Sequence, residues 1–131
     1  MGENKNAVDQ IGQGQLRREP PELSDDRLYR ALSSKRRRRL LYVLLVEESS
    51  SMERIATVLV GWTVSGKEEM VRPEERERIL TELDHIHLPV LEEAGMVSYD
   101  REDGTVRIAP LDVAVTDLIA KSVETESSSQ S

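Results

Sequence analysis

The chain has 131 residues, which is enough for one domain of ordinary size with polar tails. It contains no cysteine, so disulfides, thiolate metal sites and cysteine nucleophiles are excluded. No apolar run approaches the roughly 20 residues of a membrane span, and the polar N-terminus lacks a signal peptide's apolar stretch, so we expect a cytoplasmic protein without a membrane partner. The formal net charge of -7 opposes nonspecific attraction to nucleic-acid phosphates.

Polar segments flank the apolar part of the chain. Residues 1–22 have little apolar content and no periodicity, and residues 124–131 are rich in serine. Both are typical of disordered tails, because they offer too little apolar surface to offset the entropy of ordering the chain. Between them we expect a main domain over residues 23–110 and an amphipathic helix over residues 111–123.

Capping residues and leucine spacing predict two helices at the start of the main domain. Ser24 is a good N-cap for a first helix over about 25–32. Ser34 is a good N-cap for a second helix that ends near Glu47. The second helix has apolar positions that follow the helical period, namely Leu40, Leu41, Leu44 and Leu45.

A third helix is predicted by a capping box. Ser50 and Glu53 have the spacing at which each side chain satisfies a backbone N–H of the other residue. We expect this helix to stop at Gly61. Residues 61–72 contain two glycines and scattered charges, which favour a loop.

The fourth helix begins with a proline and contains a second one. Pro73 suits the first helical position, where its missing N–H has no intrahelical partner. Pro89 predicts a kink or a restart, and Gly95 predicts the end of the helix. The predicted inner face carries Ile79, Leu80, Leu83, Ile86 and His87.

A period of two follows the fourth helix and predicts a β-hairpin. Asp103 and Gly104 form the predicted turn between two strands with the alternating apolar residues Val97, Tyr99, Val106 and Ile108. A last amphipathic helix carries Leu111, Val115, Leu118 and Ile119. The elements predict a mainly α fold with a small β-hairpin, arranged as a winged helix-turn-helix.

Two stretches carry a resemblance to known families. "HLPVLEEAGMVSYDREDGTV", from His87 to Val106, resembles the end of the recognition helix and the wing of ArsR-type regulators. Residues 24–108 as a whole resemble a halophilic-archaeal family of winged-helix domains of unknown function. The excess of arginine over lysine, the absence of phenylalanine and the many carboxylates are similar to proteins of salt-loving archaea, whose salty cytosol would shorten the range of charge repulsion.

The resemblance implies a transcriptional regulator that binds double-stranded DNA. On the fourth helix, Arg78, Thr81 and His85 lie opposite the apolar face, where they would meet bases or phosphates. Arg101 lies at the hairpin tip, where a wing reaches the DNA backbone. The alternative interpretation of the helix face is an ordinary solvated surface.

The most basic run of the chain is Lys35 to Arg39, at the start of the second helix. We expect Arg38 and Arg39 to contact phosphates. We expect Arg36 and Arg37 to pack their stems along the edge of the core and to pair with nearby carboxylates.

We also predict the partners of the chain and whether it catalyses a reaction. We expect a homodimer formed through the first helix and the helix over 111–123, because two-fold pairing would place two recognition helices in adjacent major grooves. The alternative function is a protein-protein interaction module without direct DNA binding, which the acidic helix face and hairpin favour. No phosphate loop, nucleophile motif or metal-ligand cluster is visible, so we expect no enzyme, no cofactor and no metal site.

Overall fold

The structure is a computed structural model that describes residues 25–64 and 72–129. In these two ranges the chain forms helices α1 (Asp26–Leu32), α2 (Lys35–Glu47), α3 (Met52–Val64), α4 (Pro73–Glu82), a π turn (Leu83–His87), α5 (Leu88–Glu93) and α6 (Val113–Ser129), and strands β1 (Ser49–Ser51), β2 (Val97–Asp100) and β3 (Thr105–Ile108). No helix in this part of the chain is long and apolar enough to cross a membrane. The predicted tail over 1–22, Ser24 and most of the predicted loop over 61–72 lie outside the described residues.

The strands form a three-stranded antiparallel sheet in the order β1-β3-β2. Val106, on the central strand, pairs with Ser50 on one side and with Tyr99 on the other. The predicted hairpin is confirmed, whereas β1 was missed, because three consecutive serines show neither alternation nor β-propensity. Helix α2, strand β1, helices α3 and α4, and the hairpin give a mainly α fold of winged helix-turn-helix type, as predicted.

Two of the three predicted caps lie one residue from their expected positions. The Asp25 side chain accepts from the N–H of Arg27 and caps α1, where we predicted Ser24. Ser34 caps α2 as predicted, by accepting from the N–H of Arg37. Ser51, rather than Ser50, accepts from the N–H of Arg54, because α3 begins at Met52 and Ser51 is the residue directly before it.

Helix α3 continues past Gly61 to Val64, so the predicted stop was wrong. Glycine lowers helix propensity by only about 1 kcal/mol, and this helix has a buried apolar face that outweighs the loss. Trp62, which we placed in a loop, lies on α3 and packs edge-on against Tyr42 of α2. Tertiary packing therefore extends the helix beyond the local signal.

The predicted interruption near Pro89 is a π turn. Proline has no N–H to donate to the carbonyl of His85, and its ring would clash with that oxygen in a regular helix. The chain widens over Leu83–His87, where the N–H of Leu88 donates to the carbonyl of Leu83, and it resumes as α5 with Pro89 in its first turn. Gly95 then ends the helix at a φ of 76°, in the left-handed region.

In the described residues, one apolar core joins α1, α2, α3, α4, the π turn, α5, α6 and the sheet. Its largest fully buried side chains are Leu28, Leu40, Leu41, Leu44, Ile55, Leu59, Leu83, Leu88, Leu91, Met96, Val106 and Ile119.

Helix α6 covers α2 of its own chain. Val115 and Ile119 of the predicted dimer stripe are fully buried in this intramolecular contact, whereas Leu118 is exposed. The helix also runs beyond Val123, where we expected a polar tail, to Ser129. Glu126 accounts for part of this extension, because it accepts a hydrogen bond from Arg39.

Candidate nucleic-acid interface

The exposed side of α4 and the π turn carries the predicted base-reading residues. Arg78 has 65% of its side chain exposed, and its one ion pair among the described residues, with Glu75, is loose at 3.6 Å. Thr81 is exposed and donates to the carbonyl of Glu77. His85 is 71% exposed and lies 3.6 Å from a carboxylate oxygen of Asp84. The structure therefore presents all three of these side chains to solvent on one helical segment.

The opposite side of the same segment is fixed to the core. Ile79 and Leu83 are buried, and His87 is nearly so. A Nη1 atom of Arg37 lies 3.1 Å from Nδ1 of His87, so the end of the π turn is held by α2. This anchoring sets the rotation of the segment about its axis and hence which residues face outward.

Arg37 is the link between three helices. Its Nε donates to the carbonyl of Ala31 and its Nη2 to the carbonyl of Arg30, so Arg37 bonds two of the last carbonyls of α1. Burial and the neighbouring charge of Arg30 lower the pKa of Arg37. The guanidinium thus joins the end of α1 to His87 beside α5.

Further ion pairs hold α4 against α2 and α3. Arg36 donates to Glu82, and Arg76 donates to both the side chain and the carbonyl of Glu53. The contact of Arg36 is consistent with the predicted pairing to a carboxylate, whereas Arg37 bonds backbone carbonyls and His87.

Arg38 and Arg39 point into their own chain. Arg38 donates to the carbonyl of Leu32, and Arg39, whose side chain is only 13% exposed, donates to Glu126 at 2.9 Å. The Arg39 guanidinium also lies over the Trp62 ring, 5.2 Å from its centroid. Phosphate contact by these two residues stays a prediction, and it would require a rearrangement of the end of α6.

Arg101 lies at the hairpin but is folded back. It pairs with Glu92 at 2.9 Å and stacks over the Tyr99 ring at 4.5 Å. The pKa of Arg101 is raised, chiefly by the hydrogen bond to Glu92. The tip around it carries the exposed carboxylates Asp100, Glu102 and Asp103. Arg107, on the returning strand, is also exposed.

Ile86 lies on this surface, although we predicted it on the inner face of the helix. We assigned both Ile86 and His87 to the core; His87 is buried, but Ile86 is 50% exposed. An i→i+5 turn takes roughly one more residue than an α-helical turn, which shifts the phase of every residue after Leu83. Pro89, four residues after His85, was the sequence signal for this π turn.

No metal cluster is formed in residues 25–64 and 72–129: no three His, Asp or Glu side chains there are placed to share an ion. His85 is exposed and His87 is buried, as their spacing of two residues on a helix predicts.

The comparisons with known proteins give one match. No curated protein and no solved structure matches the chain. Similarity to ArsR-type regulators and an archaeal origin therefore stay predictions. A family model does match residues 29–107, which run from α1 to the last strand of the sheet and include all of α4 and the π turn. Because that match covers more than half of the chain, the protein belongs to the family described as "Domain of unknown function (DUF7344)".

Proposed function

We propose that this domain is a transcriptional regulator that binds double-stranded DNA with the exposed side of α4 and the π turn. We call α4 and the π turn together the recognition segment. The proposal rests on the winged helix-turn-helix fold and on the polar side of this segment, where Arg78, Thr81 and His85 are exposed. In helix-turn-helix proteins the corresponding helix lies in the major groove.

The side chains of this segment suit base edges. An arginine forms two parallel hydrogen bonds with O6 and N7 of guanine, and threonine and histidine bond several base edges or phosphates. Arg78 is the arginine among these three residues, and 65% of its side chain is exposed. We assign it the guanine contact.

The carboxylates on the same surface should affect nonspecific affinity for DNA and the dependence of binding on salt. Glu74 and Glu77 are exposed beside Arg78, and the hairpin tip is acidic. Carboxylates repel phosphates, so nonspecific affinity should be low, and few counterions should be released on binding. Affinity should then depend weakly on salt and strongly on sequence.

Two copies are expected to bind one site, because paired half-sites give a small domain enough sequence to read. With Val115 and Ile119 buried within the chain, the large apolar side chains left exposed in the described parts of α1 and α6 are Tyr29, Val113 and Leu118. We propose that these residues line the contact between copies. Light scattering at high potassium chloride tests this step, and a monomer both free and DNA-bound would contradict it.

The test of DNA binding is selection from a randomised duplex library at high potassium chloride. We expect an enriched sequence motif, and an Arg78→Ala variant should weaken binding to the enriched duplex by about 5- to 150-fold and relax one guanine position. Arg30→Ala is the matched control, because Arg30 is equally exposed and has a similarly loose ion pair, at 3.8 Å, but lies on α1.

A protein-interaction module is the second candidate, and the acidic tip with Asp100, Glu102 and Asp103 favours it. No enrichment of any duplex, together with equal behaviour of the Arg78 and Arg30 variants, would replace the DNA proposal with this one.

A further inference from the structure

Ile86 is a large aliphatic side chain on the polar side of the recognition segment. Half of its surface is exposed, although it follows Leu83 by three residues, a spacing that would bring it to the buried side of a regular helix. Isolated exposed aliphatic residues are ordinary on protein surfaces. Ile86 differs from them in that a specific distortion of the backbone turns it outward.

The distortion is the π turn. Its extra residue brings His87, rather than Ile86, into line with the buried Ile79 and Leu83, and the Arg37 hydrogen bond holds His87 there. The contact with α2 holds His87 on the buried side of the segment, and the adjacent Ile86 lies on the exposed side. Single π turns are often found at functional sites.

The same phase shift aligns Ile86 with the base-reading residues. Counting roughly 100° for each α-helical residue and less within the wider turn, Arg78, Thr81, His85 and Ile86 fall within about a quarter of the circumference. All four are exposed. The recognition surface therefore has a cationic and hydrogen-bonding part beside Arg78 and an apolar end at Ile86.

We propose that Ile86 is a specificity-determining residue that packs against the C5 methyl group of a thymine in the major groove. The inference rests on the proposed DNA binding and adds to it the identity of one base. Among the four bases, thymine alone presents a methyl group in that groove, and apolar side chains contact it. The contact removes apolar surface of both partners from water, and it discriminates against cytosine, which has a hydrogen at C5 and an amine at C4.

The test uses the duplex enriched by selection and replaces each thymine in turn with deoxyuridine, which removes only the methyl group. Wild-type protein should lose about fourfold in affinity at one position, the amount expected for one buried methyl group. An Ile86→Ala variant should bind the thymine duplex more weakly and should show no further loss with deoxyuridine at that position. Ile86→Val should keep a reduced preference for thymine.

Val46→Ala is the matched control, since Val46 is an exposed aliphatic residue at the end of α2. This variant should keep the full deoxyuridine effect. Circular dichroism should show unchanged folding of both alanine variants, because neither residue lies in the core.

The outcomes separate this inference from the proposed function. If wild-type protein binds its selected duplex but loses nothing at any deoxyuridine, or if the Ile86→Ala variant loses as much as wild type does, the thymine contact is wrong while DNA binding stands. If no duplex is selected, DNA binding itself fails, and the thymine contact fails with it.

Discussion

A guanidinium nitrogen of Arg37 lies 3.1 Å from Nδ1 of His87, and both residues are buried. Arginine has only donors, so Nδ1 must be the acceptor and the imidazole must carry its proton on Nε2. That nitrogen lies 3.7 Å from a carboxylate oxygen of Glu82. The contact joins α2 to the π turn and requires a neutral histidine.

Stability should consequently fall in mild acid. Burial and the charge of Arg37 lower the pKa of His87 below its ordinary value of 6.5, although Glu82 acts in the opposite direction. Below pH 6.5 the unfolded chain then binds a proton that the folded chain does not, so the free energy of unfolding decreases as the pH falls. The full contribution is present above pH 6.5. Denaturant titrations between pH 8 and pH 5 measure the effect.

The chain provides its own control, because it has two histidines. His87→Gln should reduce the pH dependence, whereas His85→Gln, which changes an exposed ring, should leave it as in wild type. Nuclear magnetic resonance should find His87 as the Nε2-protonated neutral tautomer at pH 7. A His87 ring that titrates at or above pH 6.5 would contradict the assignment.

Arg37→Ala should destabilise the domain by about 2 to 4 kcal/mol, because it removes the donor to the carbonyl of Ala31 and to Nδ1 of His87, and one of the donors to the carbonyl of Arg30. Arg37→Lys should recover only part of the loss, since one ammonium cannot reach acceptors that a planar guanidinium bonds at once. Thermal and chemical unfolding provide the measurement.

Lys35→Ala is the comparison for Arg37, because Lys35 is an exposed cation on the same helix. It should change stability by less than about 0.5 kcal/mol. Equal effects of the two alanine substitutions would show that Arg37 does not link the helices.

Glu126→Gln should weaken the attachment of α6 and cost about 1 to 2 kcal/mol, since it removes the charge that pairs with the largely buried Arg39. Trp62 is the only tryptophan and lies under Arg39, so its fluorescence should respond to the substitution as well. Unfolding curves followed by that fluorescence measure both effects.

Glu124→Gln serves as the control for Glu126, because it changes the same charge at an exposed position of the same helix. Little change in stability or fluorescence is expected from it. If Glu126→Gln also changed neither stability nor fluorescence, residues 124–129 would behave as the polar tail that composition predicts.

Glu48→Gly should stabilise the domain by about 1 kcal/mol. Glu48 has a φ of 71° and a ψ of -41°, outside the common regions for a residue with a side chain, and its side chain is exposed. Glycine adopts this conformation without the steric cost of a Cβ atom. Glu48→Ala keeps the Cβ and should be close to neutral in chemical unfolding, so a stabilising alanine variant would contradict the explanation by strain.

Local chemistry predicted much of this architecture. Ser34, Pro73, Pro89 and Gly95 mark helix boundaries or an interruption because each acts on hydrogen bonds or dihedrals within a few residues. The hairpin followed from strict alternation along its two strands. These residues act on the backbone next to them, so the local structure that they predict is also found in the folded chain.

The exposed base-reading candidates were also predictable in part. Arg78, Thr81 and His85 were placed opposite the apolar face by helical spacing alone, and the structure exposes them. The exposure of Ile86 did not follow from this spacing, because the wider π turn changes the position of Ile86 around the helix axis.

Tertiary structure alone decided the roles of the arginine run and of the last helix. By sequence, Arg36 to Arg39 are four similar cations, yet two partners distant along the chain, Glu82 and Glu126, draw Arg36 and Arg39 inward. The apolar stripe at Val115 and Ile119 was visible in the sequence, but whether it covers α2 or a second copy depends on the path of the chain after the hairpin. Amphipathic spacing and charge determine what a surface can bind. Whether that surface packs within its own chain or against a second copy depends on the path of the backbone.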